Sequence, residues 1–264
     1  MKSKIHRGKI KNNSPVILIT GASGGIGGAC VDAFLEAHSR VVMTDLNKPL
    51  SRQTLRPRMG RCIFIRADLT QEQSVRTLIN ETVETFGRLD VLVNNAAVLL
   101  PMKPAHETSL SEFDMLVAVN LRGTFLACKY AYPHLKRSRG SIVNVSSMSG
   151  IEGEKDHAIY AATKGAINAL TKAMALDYGR KGIRVNTVCP GGVSTPNALK
   201  AIRAAPNSTR LLRLRDSQHA LGRTAEPEEV ASVVVFLASR AASFVTGAIV
   251  PVSGGSECGY GVKY

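Results

Sequence analysis

Short apolar runs alternate along this chain with longer amphipathic segments, and polar or glycine-rich stretches separate them. Val16–Thr20 is an unbroken aliphatic run ending at glycines, the pattern of a strand buried on both faces. A helix is expected over 25–37, then strands over Arg40–Asp45 and 62–67; Pro49 and Pro57 leave any helix in 48–60 short or broken. Thr70 is the expected N-cap of a helix over 71–86, and 90–94 reads as the fourth strand. Ser109-Leu110-Ser111-Glu112 is a capping box that opens a long helix through Val119 and Leu126 towards Leu135. A strand over 141–146, a helix over 158–178 and a strand over 184–189 follow. Residues 191–218 hold Pro196, Pro206 and many arginines and read as the least regular part; loops of that length in a compact domain are as a rule functional or mobile. Pro227 sits where proline prefers to start a helix, here one running to Ala238, and Ile249–Val252 closes the series. Strands alternating with helices predict an α/β fold, a doubly wound parallel sheet in three α/β/α layers.

Composition fits one domain. The chain has 264 residues, 44% of them hydrophobic, enough for a single large two-sided core over 15–264. Residues 1–14 are basic and polar, lack the apolar centre of a secretion signal, and are expected to form a frayed tail. No run reaches the roughly 18 apolar residues of a membrane span. Cys30, Cys62, Cys128, Cys189 and Cys258 are scattered without a C-x-x-C pair, which argues against a disulfide framework or a metal site and makes a reducing cytoplasm the expected compartment. The net charge of +14 would attract anions such as nucleic acid, phosphorylated cofactors or an acidic carrier protein. Few aromatics accompany the basic clusters, so a base-stacking surface is not indicated and nucleic acid is not the expected partner.

The chemistry begins at Thr20-Gly21-Ala22-Ser23-Gly24-Gly25-Ile26-Gly27, between the first strand and first helix. Glycines there let the backbone turn sharply and approach a pyrophosphate, while the helix N-terminus offers N–H donors. This makes the sheet Rossmann-type and Gly21, Ser23, Gly25, Ile26 and Gly27 candidates for cofactor contact. Asp45, at the end of the second strand, can accept both ribose hydroxyls of NAD and would repel the 2′-phosphate of NADP. No Arg or Lys occupies 22–28 or 46–47, and Lys48 is the nearest cation, so NAD is the expected cofactor. Tyr160 and Lys164 lie four apart in a helical segment and so share one face. A nearby cation favours phenolate and lowers a tyrosine from its ordinary value of about 10, which would make Tyr160 an acid/base near neutral pH.

These landmarks, followed in order by Asp68, Asn94-Asn95-Ala96, Asn120, Ser147, Tyr160 with Lys164, and Pro190-Gly191, resemble the single-domain branch of the short-chain dehydrogenase/reductase family over nearly the whole chain, from about Val16 to Gly255. Ser147 stands at the family's spacing from Tyr160 and is preferred to Ser146. The resemblance implies Tyr160 as general acid/base and Ser147 as the group that holds and polarises the substrate oxygen. It makes Lys164 the residue that lowers Tyr160 and bonds the nicotinamide ribose. Asn120 would interrupt its helix and hold a water linking Lys164 to solvent. Asp68 and Leu69 would line the adenine, Asn94 and Ala96 would pass under the cofactor ribose, and Pro190, Gly191, Val193 and Thr195 would border the nicotinamide.

The expected function is an NAD-dependent oxidoreductase interconverting a secondary alcohol and a ketone on a small-molecule substrate, working as a homo-oligomer, a dimer or tetramer, through the helices at 109–135 and 158–178. The C-terminal 256–264 could pack on a neighbouring subunit. The alternative is a 3-oxoacyl-thioester reductase docking an acidic carrier on Lys129, Lys136, Arg137 and Arg180; a nucleotide-sensing or nucleic-acid-binding protein without chemistry is a further one. Three departures from the family pattern stand out: Ala97 and Ser253 replace a glycine and an aspartate, and His38-Ser39 replaces a glycine-containing turn, with His38 expected in a left-handed cap. Glu154 and His157, just before Tyr160, could contact a polar substrate.

Overall fold

The computed structural model describes residues 14–47 and 60–258; the basic tail, Lys48, the Pro49 to Pro57 stretch and the chain from 259 lie outside the described residues. Among the described residues seven strands form one parallel sheet: β1 (Val16–Thr20), β2 (Arg40–Asp45), β3 (Cys62–Arg66), β4 (Val91–Asn94), β5 (Ser141–Val145), β6 (Arg184–Pro190) and β7 (Ile249–Val252). Their order is β3-β2-β1-β4-β5-β6-β7. β1 pairs with both β2 and β4, so the direction of winding reverses at β1 and opens a crevice at the carboxyl ends of the strands. Every side chain of β1 is buried, as its aliphatic run requires for a strand covered on both faces.

Two helical layers supply that cover. α1 (Gly25–Glu36) and α8 (Pro227–Ala238) bury Val31, Phe34, Leu35, Val230 and Leu237 on one face. On the other, α2 (Glu72–Phe86), α4 (Thr124–Ser138) and α5 (Ala158–Gly179) bury Leu78, Ile79, Leu126, Leu135 and Met174. Among the described residues no helix is long and apolar enough to cross a membrane.

The bounds of β1, β2, α8 and β7 are those expected. Ser109 caps α3 (Leu110–Leu116) with the full capping box. The long helix expected from there is interrupted by a π-helical segment, Val117–Gly123, centred on Asn120, before α4 resumes and runs on through Pro133. His38 adopts φ 59, the left-handed conformation expected of it. Thr70 does not cap α2: its N–H and hydroxyl both bond the Asp68 carboxylate, and Gln71 stands at the cap without a side-chain bond. Residues 191–218 are also more regular than expected, carrying α6 (Pro196–Arg203) and α7 (Ser208–Asp216). Neither helix buries a residue fully, although Ala198, Leu199 and Ile202 give α6 one half-buried apolar face.

Candidate active site

The crevice begins at the turn after β1. Gly21 has φ +63, and a Cβ there would come within 2.7 Å of Ala96 Cα. A Cβ on Gly27 would lie 2.2 Å from Gly21 O, so the turn can close only on glycine. Asn95, which the sequence reading left without a role, bridges the turn to β4: its Nδ2 donates to Thr20 O and Gly21 O at 3.1 and 3.0 Å. The signal was present in the paired asparagines, but nothing in their spacing says which one turns towards the glycines. Asn94 points the other way, donating to Asn144 Oδ1 at 2.9 Å and to Cys128 Sγ at 3.2 Å. Its side chain is therefore interior.

Asp45 Oδ2 accepts the Ser23 N–H at 3.1 Å, and the Ser23 hydroxyl donates to Asn47 O at 2.7 Å. The carboxylate thus stands against the glycine turn, where a ribose contact was expected. Arg66, paired with Asp45 in the sheet register, is a cation the sequence reading did not weigh; its Nε donates to Leu46 O at 2.9 Å. Asp68 uses its carboxylate on Thr70, and Leu69 is buried against Gly123. The fit to a dinucleotide is seen in the cradle itself, since added side chains would fill it at Gly21, Gly25 and Gly27.

Ser147 follows β5, and Tyr160 and Lys164 come from the first turns of α5. A buried polar chain sets this helix on the sheet: Asn94 to Asn144, Asn144 Nδ2 to Thr171 Oγ1 at 2.8 Å, and Thr171 to Thr187 Oγ1 at 2.6 Å. The Ser146 hydroxyl donates to Lys164 O at 2.9 Å inside the core, while Ser147 Oγ faces the crevice and accepts from Ser149 N at 3.2 Å. Asn120 is fully buried; Val98 N donates to its Oδ1 at 2.8 Å, and its Nδ2 donates to Val98 O and Thr163 Oγ1. Its amide therefore fastens the segment after β4 to α5.

Lys164 is 2% exposed, donates to Val145 O at 2.9 Å, and lies over the Tyr160 ring, 5.6 Å from its centroid. Burial pushes the Tyr160 phenol up to about 12; the Ser147 hydroxyl pulls it down and the Glu154 charge adds to the rise. Burial also brings Lys164 down to about 8. In this geometry burial is the largest influence on Tyr160, and desolvation of the phenolate outweighs the pull of the Ser147 hydroxyl.

His157 and Glu154 form the rim. His157 Nδ1 lies 3.1 Å from Glu154 Oε2, its ring is tilted beside Tyr160 at 5.6 Å, and the Ser149 hydroxyl donates to the same Glu154 oxygen. A Cβ on Gly25 would sit 2.8 Å from Thr195 Cβ, so of the residues expected at the nicotinamide end Thr195 closes on the glycine turn. The departures are mild. Ala97 is exposed, and Ser253 Oγ bonds Glu257 and accepts the Gly255 N–H at 3.3 Å. Of the basic residues named for carrier docking, Lys129 is engaged by Glu72 at 3.2 Å.

Comparison with known proteins converges on the same reading. A family model described as enoyl-(acyl carrier protein) reductase matches residues 21–257. An L-fucose dehydrogenase of Oryctolagus cuniculus is 44% identical over 246 residues, covering 93% of this chain and 86% of that protein. The ligand-free structure of Thermoplasma acidophilum aldohexose dehydrogenase superposes with a TM-score of 0.87 at 33% identity, covering 97% of this chain and 99% of that one. A structure of ElxO with NADP bound gives 0.86 at 32% identity, covering 93% and 100%. With the family model matched over residues 21–257 and these relatives alike over nearly the whole chain, the protein belongs to the short-chain dehydrogenase/reductase family of oxidoreductases.

Proposed function

We propose that this protein is an NAD-dependent dehydrogenase that interconverts a CH–OH carbon and a carbonyl in a small polar hydroxy compound, a sugar foremost. The observation that carries the reading is the convergence of the Ser147 hydroxyl on the Tyr160 phenol, one helical turn from the buried Lys164, beside a glycine turn built for a dinucleotide. The sugar names of two similar proteins support the substrate class. Asp45 at the end of β2 supports NAD over NADP.

NAD supplies the hydride acceptor when bound. Tyr160 exchanges the hydroxyl proton of the substrate, and Ser147 holds the same oxygen. Val145 O takes one of the three Lys164 N–H donors, which leaves others for the cofactor ribose. The Asn120 amide is engaged by Val98 and Thr163, so any water relay from Lys164 uses the Asn120 carbonyl, which also accepts the Thr124 hydroxyl. Tyr160 held as a phenol is a ready proton donor near neutral pH, which suits carbonyl reduction there and alcohol oxidation at alkaline pH. Exposed Leu110, Phe113, Phe125 and Leu176 on α3, α4 and α5 support association of copies through these helices.

The test is turnover of a panel of aldoses and diols with NAD and with NADP at alkaline pH, for wild type and Tyr160→Phe. We expect NAD-linked oxidation that falls at least about 100-fold in the variant. Equal rates in the two proteins would refute the assignment of Tyr160, and turnover with NADP alone would refute the cofactor.

A further inference from the structure

The segment joining Pro190 to α6 is held from behind by two side chains that the chemistry above does not use. His219, just beyond α7, is 6% exposed. Its Nε2 accepts the Gly192 N–H at 2.9 Å, and its Nδ1 lies 2.9 Å from Arg215 O. Gly192 N can only donate, so Nε2 is the acceptor and the single ring proton sits on Nδ1, donating to Arg215 O; one neutral tautomer satisfies both contacts. Arg215 reaches the next residue along, its Nη2 donating to Val193 O at 2.6 Å. Successive backbone groups, an N–H and a C=O, are thereby gripped from the end of one helix. The fit is close: a Cβ on Gly191 would lie 3.0 Å from His219 Nε2, and one on Gly192 2.8 Å from Cε1. The other end of the gripped segment is Thr195, which caps α6 by accepting the Ala198 N–H at 3.3 Å and packs on Gly25 of the glycine turn.

We infer that Arg215 and His219 act as positioning residues, a two-pronged clasp that sets residues 191–195 against the glycine turn and so fixes the wall of the cofactor crevice. The inference rests on reading 190–195 as the border of the nicotinamide end. The clasp shares no contact with Ser147, Tyr160 or Lys164, so its effect passes through the segment it holds. Asp216 accepts the Thr224 N–H at 3.0 Å from its own helix end, which fastens the base of the clasp.

His219→Gln keeps an acceptor for the Gly192 N–H, whereas His219→Leu keeps bulk and removes it. The experiment measures NADH affinity by fluorescence titration, and tryptic cleavage after Arg203, Arg210 and Arg213 by mass spectrometry without cofactor. We expect His219→Leu to weaken NADH binding about tenfold and to speed cleavage in α6 and α7. His219→Gln should return both to within about threefold of wild type. Wild-type behaviour of His219→Leu, or failure of His219→Gln to restore either readout, would overturn the clasp. Arg215→Met removes the second prong and decides the question by the same two readouts if His219→Leu does not fold. A wild type that binds neither NADH nor NADPH would refute the cofactor reading, while the cleavage comparison still judges the clasp.

Discussion

The Lys164 ammonium donates to Val145 O at 2.9 Å and sits over the Tyr160 ring, 5.6 Å from its centre, so α5 holds the buried cation beside the phenol. Burial brings this lysine down to about 8, below its value in an unfolded chain. Below about pH 8 both states carry the proton, and the folded state bears the full cost of the buried charge, on the order of 3 kcal/mol. Between about pH 8 and 10 the unfolded state holds more protons, so stability rises with pH as that cost fades. Lys164→Met should therefore be more stable than wild type near pH 7, with the advantage shrinking towards about pH 10; urea midpoints across that range check it. The orphaned Val145 carbonyl takes back only about 1 kcal/mol.

Glu154 adds to the rise of the Tyr160 phenol. Removing its charge in Glu154→Gln should lower the phenol and move the acid limb of kcat/KM for alcohol oxidation to lower pH. The carboxylate is 42% exposed, so solvent screens the effect and the displacement should be modest. A pH profile that moves to the alkaline side would reverse the assigned sign.

The two neighbouring serines divide structure from chemistry. Ser147→Ala should cost about 100-fold or more in kcat/KM with little change in stability. Ser146→Ala loses the buried bond to Lys164 O and should cost about 1 kcal/mol in unfolding free energy while activity stays within a few-fold. Thermal unfolding and kinetics on both variants separate the roles.

Adjacent glycines should behave oppositely. Gly27→Ala drives a methyl to 2.2 Å from Gly21 O and should cost about 3 kcal/mol and abolish dinucleotide binding. Gly28→Ala meets nothing nearer than Ala22 O at 3.9 Å and, in a helix, should gain about 0.5–1 kcal/mol. Calorimetry with NADH titration distinguishes them.

Asp45→Ala should weaken NADH by about tenfold while sparing or improving NADPH. The Ser23 N–H it releases is solvent-exposed, so water replaces the bond and the turn survives. NADPH preference in the wild type would refute the Asp45 argument and make Arg66, its register partner on β3, the first residue to replace.

The fold was legible because its strands are apolar runs bounded by glycine, proline and acidic residues; β1, β2 and β7 needed no tertiary information. Ser147, Tyr160 and Lys164 were legible as an ordered set. What escaped was directional. Helical spacing puts Lys164 and Tyr160 on one face but does not say whether the ammonium meets the hydroxyl or the ring. Asn94 and Asn95 are indistinguishable in sequence, yet one points into the core and the other to the glycine turn. α6 and α7 escaped because their stretch is broken by Pro196 and Pro206 and crowded with arginines, although Thr195-Pro196 is a start signal and Ala198, Leu199 and Ile202 lie at helical spacing.

The glycine turn and its walls are separated along the chain. Gly21 to Gly27 leave the ribosome early, Asn95 and Ala96 much later, and Thr195 only after most of the protein has been made. During synthesis the turn is a cradle with one side, and no nucleotide can hold it. On the proposed cofactor reading, ligand-linked stabilisation reaches only the nearly complete chain, and a product truncated before β6 would lie beyond rescue by a dinucleotide.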